Sequence, residues 1–319
     1  MPKVAIAQIA PVFLDRAACL TLAVDAIAQA ARNGAALIVF PEAFITGYPA
    51  WVWRLRPGVD HAACAFLHKK LVTQASTVSS DDLADLYNAA KKHSITVVCG
   101  VQELDASGSQ TTLFNTVLCI DQQGVLQNKH RKLVPTNAER MIWGQGDGAG
   151  LKVVPTSAGN IGTLICWENY MPLARYTLYA QGLQVYIAPT YDSGDMWISS
   201  MRHIARESGC WVISANNAFQ AVDLGKDILS VTSAYPDSQE WVNPGDSLVV
   251  APSGEIVAGP WRCEQGIFYA DIDLSAVIEA RRSLDVAGHY ARPDLFKLDL
   301  SPNPNELVTL HVQHRSTDS

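Results

Sequence analysis

The sequence predicts an α/β fold, because short apolar runs typical of buried strands alternate along the chain with amphipathic runs typical of helices. Apolar residues make up 48% of the 319 residues and charged residues only 17%, so a large buried core is expected. No stretch rich in Pro, Gly or Ser divides the chain into two parts. A single α/β domain with helices outside its sheets would bury these strands.

The first half of the chain contains four predicted strands and two predicted helices. The strands cover 3–9, 35–40, 95–104 and 113–121, and the helices cover 15–32 and a segment that begins at 81. Asn33 and Gly34 are expected to end the first helix, since both residue types tolerate a left-handed backbone. The third and fourth strands are expected to pair across a turn at 106–108.

The second half repeats this alternation. Predicted strands cover 160–165, 185–188, 210–214, 247–251, 255–258 and 266–271, and predicted helices cover 172–181 and 199–208. Pro252, Ser253 and Gly254 predict a hairpin turn between the strands on either side of them.

The overall charge excludes several classes of partner. The net charge is −7, and the only short basic run is 129–132, so neither a nucleic acid nor an anionic membrane surface is an expected partner. No apolar run approaches the roughly 20 residues that a membrane span needs. Residues 1–9 fit a first core strand better than a signal peptide. The cysteine count is seven, and Cys99 and Cys119 lie within predicted strands, so disulfides are not expected and a cytoplasmic location is.

Glu42 directly follows the predicted strand 35–40 and Pro41. A carboxylate at this position can lie in a partly desolvated cleft, where its pKa rises toward that of a general base. A capping or surface glutamate would fit the same position.

Lys132 lies beside an apolar Leu-Val-Pro segment. Its ammonium could point into a site and stabilise developing negative charge. A solvated basic loop is the alternative and, for these residues alone, the more common one. Glu139 lies seven residues later and could pair with Lys132 or with Arg140.

Cys166 follows the predicted strand 160–165 and precedes the predicted helix 172–181. Backbone N–H groups at such a turn lower the pKa of a thiol and can form an oxyanion hole. An inert core cysteine is the alternative. The polar residues Glu168 and Asn169 that follow make burial of Cys166 less favourable.

Other catalytic classes have little support. The glycine-rich segment 143–150 has no preceding strand and no Gly-Lys-Ser/Thr ending, so it is predicted to be a flexible loop near the site and not a phosphate loop. The eight histidines are scattered, and neither a metal-binding motif nor a Gly-x-Ser-x-Gly serine motif occurs. Neither a metal nor a cofactor is expected.

Four segments, taken together, resemble motifs of the nitrilase superfamily. Segment 34–49 (GAALIVFPEAFITGYP) resembles the catalytic glutamate segment, and 131–136 (RKLVPT), followed by Glu139, resembles the lysine segment. Segment 166–175 (CWENYMPLAR) is similar to the nucleophile segment of the nitrilase branch, and 288–294 (GHYARPD) is similar to a motif found late in nitrilases. The resemblance covers about 3–295.

This resemblance implies a four-layer αββα sandwich for a carbon–nitrogen hydrolase domain at 1–295. The polar, Pro-containing end of the chain predicts a C-terminal arm or a partly disordered segment at 296–319. The resemblance also implies a homo-oligomer built on a dimer. The implied catalytic residues are Glu42, Lys132, Cys166 and Glu139, with Tyr48 and Trp167 as the first candidates for binding substrate. Trp51, Trp53, Trp143 and Trp197 are further aromatic candidates for the pocket, and core packing is an equally good explanation for each of them.

The function implied is that of a nitrilase, which converts a small-molecule nitrile to a carboxylic acid and ammonia through a covalent thioimidate and thioester on the cysteine. An amidase or carbamoylase of the same superfamily would use the same residues on an amide. A nitrile or cyanide hydratase would release the amide instead. A catalytically inactive binding protein is the alternative of a different class, but such proteins usually lack a catalytic residue.

Overall fold

The computed structural model describes residues 1–78 and 81–301. Within them the strands are β1 (Lys3–Gln8), β2 (Ala35–Val39), β3 (Thr96–Leu104), β4 (Leu113–Ile120), β5 (Leu126–Arg131), β6 (Val154–Thr156), β7 (Gly159–Thr163), β8 (Val185–Thr190), β9 (Trp211–Asn216), β10 (Ala218–Gln220), β11 (Trp241–Val250), β12 (Ile256–Arg262) and β13 (Gly266–Asp271). The α-helices are α1 (Arg16–Arg32), α2 (His61–Gln74), α3 (Ala84–His93), α4 (Pro172–Tyr179), α5 (Asp195–Ser208), α6 (Gly225–Leu229) and α7 (Ser275–Ser283). Short 3-10 helices include Ala50–Trp53, Asn137–Met141 and Cys166–Tyr170.

The strands form two mixed sheets. The first has the order β13-β1-β2-β3-β4-β5, and the second has the order β10-β11-β9-β8-β7-β6 with β12 paired to β11. In each sheet the central neighbours are parallel, namely β1, β2 and β3 in the first and β7, β8 and β9 in the second. The carboxyl ends of these central strands therefore lie at the same edge of their sheet.

Three layers of apolar contacts hold the sandwich together. Residues of α1 and α3 pack on the outer face of the first sheet, and residues of α4 and α5 pack on the outer face of the second. Between the sheets, Val4, Leu37 and Val98 pack with Val185 and Ile213. The order helix, sheet, sheet, helix confirms the predicted αββα class.

Most predicted elements are confirmed, with shifts of a few residues at their ends. Strand β13 has the predicted bounds, and β3 pairs with β4 in an antiparallel arrangement. Helix α1 begins after Asp15, whose carboxylate accepts a hydrogen bond from Ala18 N, and Gly34 adopts a φ of 81° after its end. Helix α5 begins at Asp195, four residues earlier than predicted.

Two expectations are wrong. Residues 129–131 form the end of β5 and Lys132 is 1% exposed, so the basic run is not a solvated loop. Cys166 is 4% exposed despite the polar residues after it, because Glu168 and Asn169 are themselves buried and hydrogen-bonded. Of the predicted arm, 296–301 are exposed, and 302–319 lie outside the described residues. No helix in the described part of the chain could cross a membrane.

Candidate active site

Glu42 lies just beyond β2, where the chain passes very close to β3. A Cβ atom on Gly100 would lie only 2.3 Å from Pro41 O and 2.4 Å from Ala43 N, so glycine is required for this approach. The Ile45 amide then donates to Gly100 O at 3.0 Å. These contacts fix the Glu42 backbone against the sheet, and its side chain is fully buried.

Lys132 follows β5, and its ammonium lies between two carboxylates. Lys132 Nζ donates to Glu42 Oε1 at 2.7 Å and to Glu139 Oε2 at 2.7 Å. Its backbone N–H donates to Asn115 O, and the Asn115 side-chain amide donates to Glu42 Oε1 at 2.6 Å. The lysine is thus held in place by acceptors from three parts of the chain.

Glu139 belongs to the 3-10 helix Asn137–Met141 and completes a capping box with Thr136. Its Oε2 accepts the Thr136 N–H at 2.7 Å in addition to the lysine, and its Oε1 accepts the Tyr48 hydroxyl at 2.7 Å. The Trp53 indole donates in turn to the Tyr48 hydroxyl at 2.9 Å. Glu139 therefore links the lysine to the aromatic residues near it.

Cys166 begins the 3-10 helix that follows β7, in a left-handed conformation with φ of 51°. Non-glycine residues rarely adopt this conformation unless the surrounding structure holds them there. Asn169 supplies part of that restraint, since its amide donates to Cys166 O at 2.6 Å and to Leu164 O at 3.1 Å. A sharp turn therefore presents the thiol beyond the strand end.

A buried carboxylate that the sequence analysis did not assign connects Cys166 to Lys132. Glu168 accepts the N–H of Ile165, which precedes the cysteine, and the N–H of Leu133, which follows the lysine, each at 2.6 Å. His130 Nε2 lies 3.0 Å from the same carboxylate. The sequence around Cys166 and Glu168 does not predict these hydrogen bonds. The Glu168 carboxylate joins the two segments only when β5 and β7 are brought together in the fold.

The electrostatics of the cluster favour proton transfer. Burial raises the pKa of Glu42 to about 7, with Lys132 lowering it and Glu139 raising it further. Desolvation is the largest cause of the shift, in agreement with the desolvated cleft expected for a carboxylate at this position. Burial also raises the pKa of the Cys166 thiol, as do the nearby Glu42 and Glu139 carboxylates. The thiol is therefore protonated in the resting site and needs a base in order to attack.

Glu42 has the properties of that base. Its Oε1 accepts hydrogen bonds from Lys132 and Asn115, while its Oε2 is buried and has no hydrogen-bond partner among the described residues. Buried polar atoms are nearly always hydrogen-bonded, so this exception leaves Glu42 Oε2 as an acceptor that a reacting group or a water could occupy.

A cavity of about 240 Å³ opens onto the thiol. Its lining includes Cys166, Glu139, Tyr48 and Trp167, and also residues that the sequence analysis missed: Thr136, Tyr191, Asp192, Ser193, Val242, Asn243 and Pro244. The Tyr48 and Tyr191 rings stack with centroids 3.8 Å apart. Part of the wall is therefore aromatic.

The other aromatic candidates lie in different places. Trp53 lines the cavity. Trp143 packs edge-on against Tyr48 and donates to Gln102. Trp51 and Trp197 are core residues, the latter bonded to Ser214. No group of three or more His, Cys, Asp or Glu side chains in the described ranges is arranged to hold a metal ion.

Comparison with known proteins identifies the family. A model described as "Carbon-nitrogen hydrolase" matches residues 3–282. The chain therefore belongs to the carbon-nitrogen hydrolase family. It is 39% identical to Nitrilase 1 of Arabidopsis thaliana, over 96% of this chain and 89% of that protein. It is 40% identical to the bifunctional nitrilase/nitrile hydratase NIT4A of Nicotiana tabacum, over 93% and 85%. These relatives confirm the predicted nitrilase branch.

The fold also resembles that of a solved structure. The crystal structure of Saccharomyces cerevisiae Nit3, described as a member of branch 10 of the nitrilase superfamily, superposes with a TM-score of 0.70. The match covers 91% of this chain and 96% of that one at 21% identity, which shows the shared fold.

Proposed function

We propose that this enzyme is a nitrilase, which hydrolyses a small organic nitrile to a carboxylic acid and ammonia with Cys166 as nucleophile. The observation that carries the proposal is a buried cluster in which Lys132 is paired with both Glu42 and Glu139. The cluster lies beside the Cys166 thiol, which lines a cavity. The branch to which the chain belongs supports the choice of a nitrile as substrate.

The first step is attack of Cys166 Sγ on the nitrile carbon. Glu42 takes the thiol proton, which its pKa near 7 allows, and passes it to the nitrile nitrogen as the carbon–sulfur bond forms, so that Glu42 is again a carboxylate. The product is a neutral thioimidate. Lys132 stabilises the charge that develops on nitrogen, together with the backbone N–H of Trp167.

The later steps consume two waters. Glu42 activates the first, which adds to the thioimidate carbon to give a tetrahedral intermediate. Protonation of the nitrogen expels ammonia and leaves a thioester, and a second water releases the carboxylic acid and the thiol. Glu139 orients Lys132 throughout, since one of its oxygens is bonded to the ammonium.

The product distinguishes this proposal from its rivals. A hydratase would expel the thiolate from the tetrahedral intermediate and release amide, and an amidase would act faster on the amide than on the nitrile. Lys132 lies where the nitrogen is protonated, and Glu42 or Glu139 acts as the acid. Protonation of the nitrogen favours loss of ammonia. Acid and ammonia are therefore expected in nearly equal amounts, with little amide.

The test is to incubate one good nitrile with the enzyme and to quantify acid, amide and ammonia together by chromatography. Dominant amide would assign a hydratase. Faster turnover of the corresponding amide would assign an amidase. A protein that turns over neither, yet binds nitrile, would be the inactive binding class.

The proposal includes a homo-oligomer built on a dimer. Large apolar side chains are exposed on one surface around the starts of α4 and α5, namely Trp167, Tyr170, Leu173 and Met196. Tyr170 contacts both Trp167 and Ser200, so part of this surface is continuous. Light scattering at micromolar concentration is expected to give at least twice the 34.6 kDa mass of one chain, and a monomer would contradict it.

A cytoplasmic location is also proposed. Its support is that all seven cysteines are free thiols, including the exposed Cys263 and the half-buried Cys64. Fractionation of the native host would test it.

A further inference from the structure

One carboxylate on the cavity wall has no part in the chemistry described above. Asp192 follows β8, and its Oδ2 accepts the Trp167 indole N–H at 2.8 Å while its Oδ1 accepts the Ser193 N–H at 2.8 Å. Both donors are neutral. Among the described residues Asp192 has no salt bridge, although it is half-buried.

The neighbouring Asp246, in contrast, is a carboxylate whose charge is compensated by a cation. Asp246 is buried and pairs with Arg262 at 2.6 Å. It also accepts the Gly194 N–H at 2.8 Å. In the described part of the chain Asp192 has no such cation, so its negative charge is not compensated by an ion pair at the cavity that it lines.

The rest of the lining does not neutralise this charge. Among the described residues, those that line the cavity include two carboxylates, Glu139 and Asp192, and no Lys, Arg or His side chain. Lys132 lies behind the wall and is shared between Glu42 and Glu139. Burial raises the pKa of Asp192, with the hydrogen bond from Trp167 opposing the shift, which is the behaviour of a carboxylate that lacks a cation.

We infer that the cavity selects substrates by charge: it accepts nitriles whose remote end is neutral or cationic and rejects nitriles that carry a carboxylate, with Asp192 as the residue responsible. This inference names the substrate class of the proposed nitrilase and rests on that function. The same repulsion acts on the carboxylate product and favours its release.

The first test compares three nitriles of similar size: 3-aminopropionitrile, 3-hydroxypropionitrile and 3-cyanopropanoate. The expected order of kcat/KM is cation, then neutral, then anion, with about a tenfold loss for the anion relative to the neutral nitrile, since like charges repel in a poorly screened site. Asp192→Asn keeps an oxygen for the Trp167 indole and removes the charge. It is expected to reduce the cation-to-anion ratio of kcat/KM at least threefold.

Asp195→Asn is the matched control. Asp195 lies three residues further along the chain, at the exposed start of α5, and does not line the cavity. The same loss of charge there is expected to leave the ratio unchanged. An equal change in both variants, or no discrimination by the wild-type enzyme, would overturn the inference.

A second test does not depend on nitrile turnover. Iodoacetamide and iodoacetate alkylate thiols through the same displacement of iodide, but one is neutral and the other anionic. Peptide mass spectrometry would give the ratio of their rates at Cys166, and the exposed Cys263 would give the ratio for an open thiol in the same sample.

The neutral reagent is expected to be preferred about tenfold more strongly at Cys166 than at Cys263. Asp192→Asn should reduce that preference and Asp195→Asn should not. Equal ratios at the two cysteines would overturn the inference even if nitriles are hydrolysed. A charge preference without hydrolysis of any nitrile would overturn the proposed function alone.

Discussion

Glu42, just beyond β2, and Glu103, within β3, are both buried carboxylates, but their surroundings differ. Glu103 is 3% exposed, and its oxygens accept bonds from Thr116, Lys129 and Arg131 at 2.6 to 3.0 Å. Glu42 is fully buried, and one of its oxygens has no partner in the described ranges. The pKa of Glu103 is lowered by its hydrogen bonds in spite of burial, whereas burial raises that of Glu42 to about 7.

The two glutamates use partners that are adjacent in the chain. Asn115 and Lys132 contact Glu42, while their neighbours Thr116 and Arg131 contact Glu103. Successive side chains of a strand point to opposite faces, so β4 and the end of β5 supply both clusters. Glu103, whose oxygens are all hydrogen-bonded, stabilises the sheet. Glu42 has one oxygen that remains available to accept a proton.

The largest expected effect comes from removing Glu42, the proposed base. Glu42→Gln should reduce kcat about 10³-fold, within the range of a lost general base. Glu103→Gln makes the same chemical change on the other face and should leave kcat of the folded enzyme within about threefold. Steady-state kinetics on one nitrile, with circular dichroism to confirm folding, compares the two. Similar losses in both would remove the distinction between them.

The adjacent cations provide the next test. Lys132→Arg should lower kcat/KM on the order of 10²-fold, by analogy with loss of one oxyanion donor, since the planar guanidinium cannot replace a compact ammonium between two carboxylates. Arg131→Lys retains a cation for Glu103 and should cost less than about threefold. If the Lys132→Arg enzyme kept most of its activity, Lys132 would have no catalytic role.

The acid limb of the pH profile should depend on Glu42. Because only its ionised form accepts the thiol proton, kcat/KM should fall about tenfold per pH unit below an apparent pKa near 7. Glu103, with its lowered pKa, remains ionised throughout that range. An apparent pKa near 4.5 for the acid limb would mean that the pKa of Glu42 is not raised.

The smallest effects concern stability, and they have opposite signs. Glu103 has a lowered folded pKa, so it stabilises the fold above its unfolded pKa and this contribution is lost on acidification. Glu42 has a raised folded pKa, so its contribution is present below about 4.5 and is lost as the pH rises through about 7.

Urea unfolding at pH 5 and pH 8 compares the two variants. Glu103→Gln should lower the free energy of unfolding by about 1–3 kcal/mol at both pH values, because both lie above the unfolded pKa of about 4.5. Glu42→Gln should be stabilising relative to the wild type at pH 8 and nearly neutral at pH 5. If both variants lowered the free energy of unfolding at pH 8, the predicted opposite signs for Glu42 and Glu103 would be wrong.

The sequence predicted the fold class and the strand ends after which the candidate residues Glu42 and Cys166 lie, because apolar strands such as β2 and β8 have clear patterns. It missed β5, whose sequence LQNKHR is polar because the strand lies at the edge of its sheet. The basic run could therefore be interpreted as a loop, although it places Arg131 and Lys132 on opposite faces.

The bridge formed by Glu168 could not be predicted for a different reason. Its partners His130, Leu133 and Ile165 come from two sheets, and only the packed sandwich brings their atoms within 3.1 Å of one carboxylate. Asp192 was likewise unremarkable in the sequence. That no described cation pairs with it depends on which residues fold around the cavity, and no local sequence pattern shows this.

The central claim is that Cys166 forms a covalent intermediate with the nitrile. Acid quenching of the enzyme during turnover, followed by peptide mass spectrometry, tests it most directly. An imidate or acyl adduct on the Cys166 peptide is expected, and it should be absent from Cys166→Ala, which folds but does not turn over substrate. An adduct on Cys64 or Cys210, or undiminished turnover by Cys166→Ala, would contradict the account.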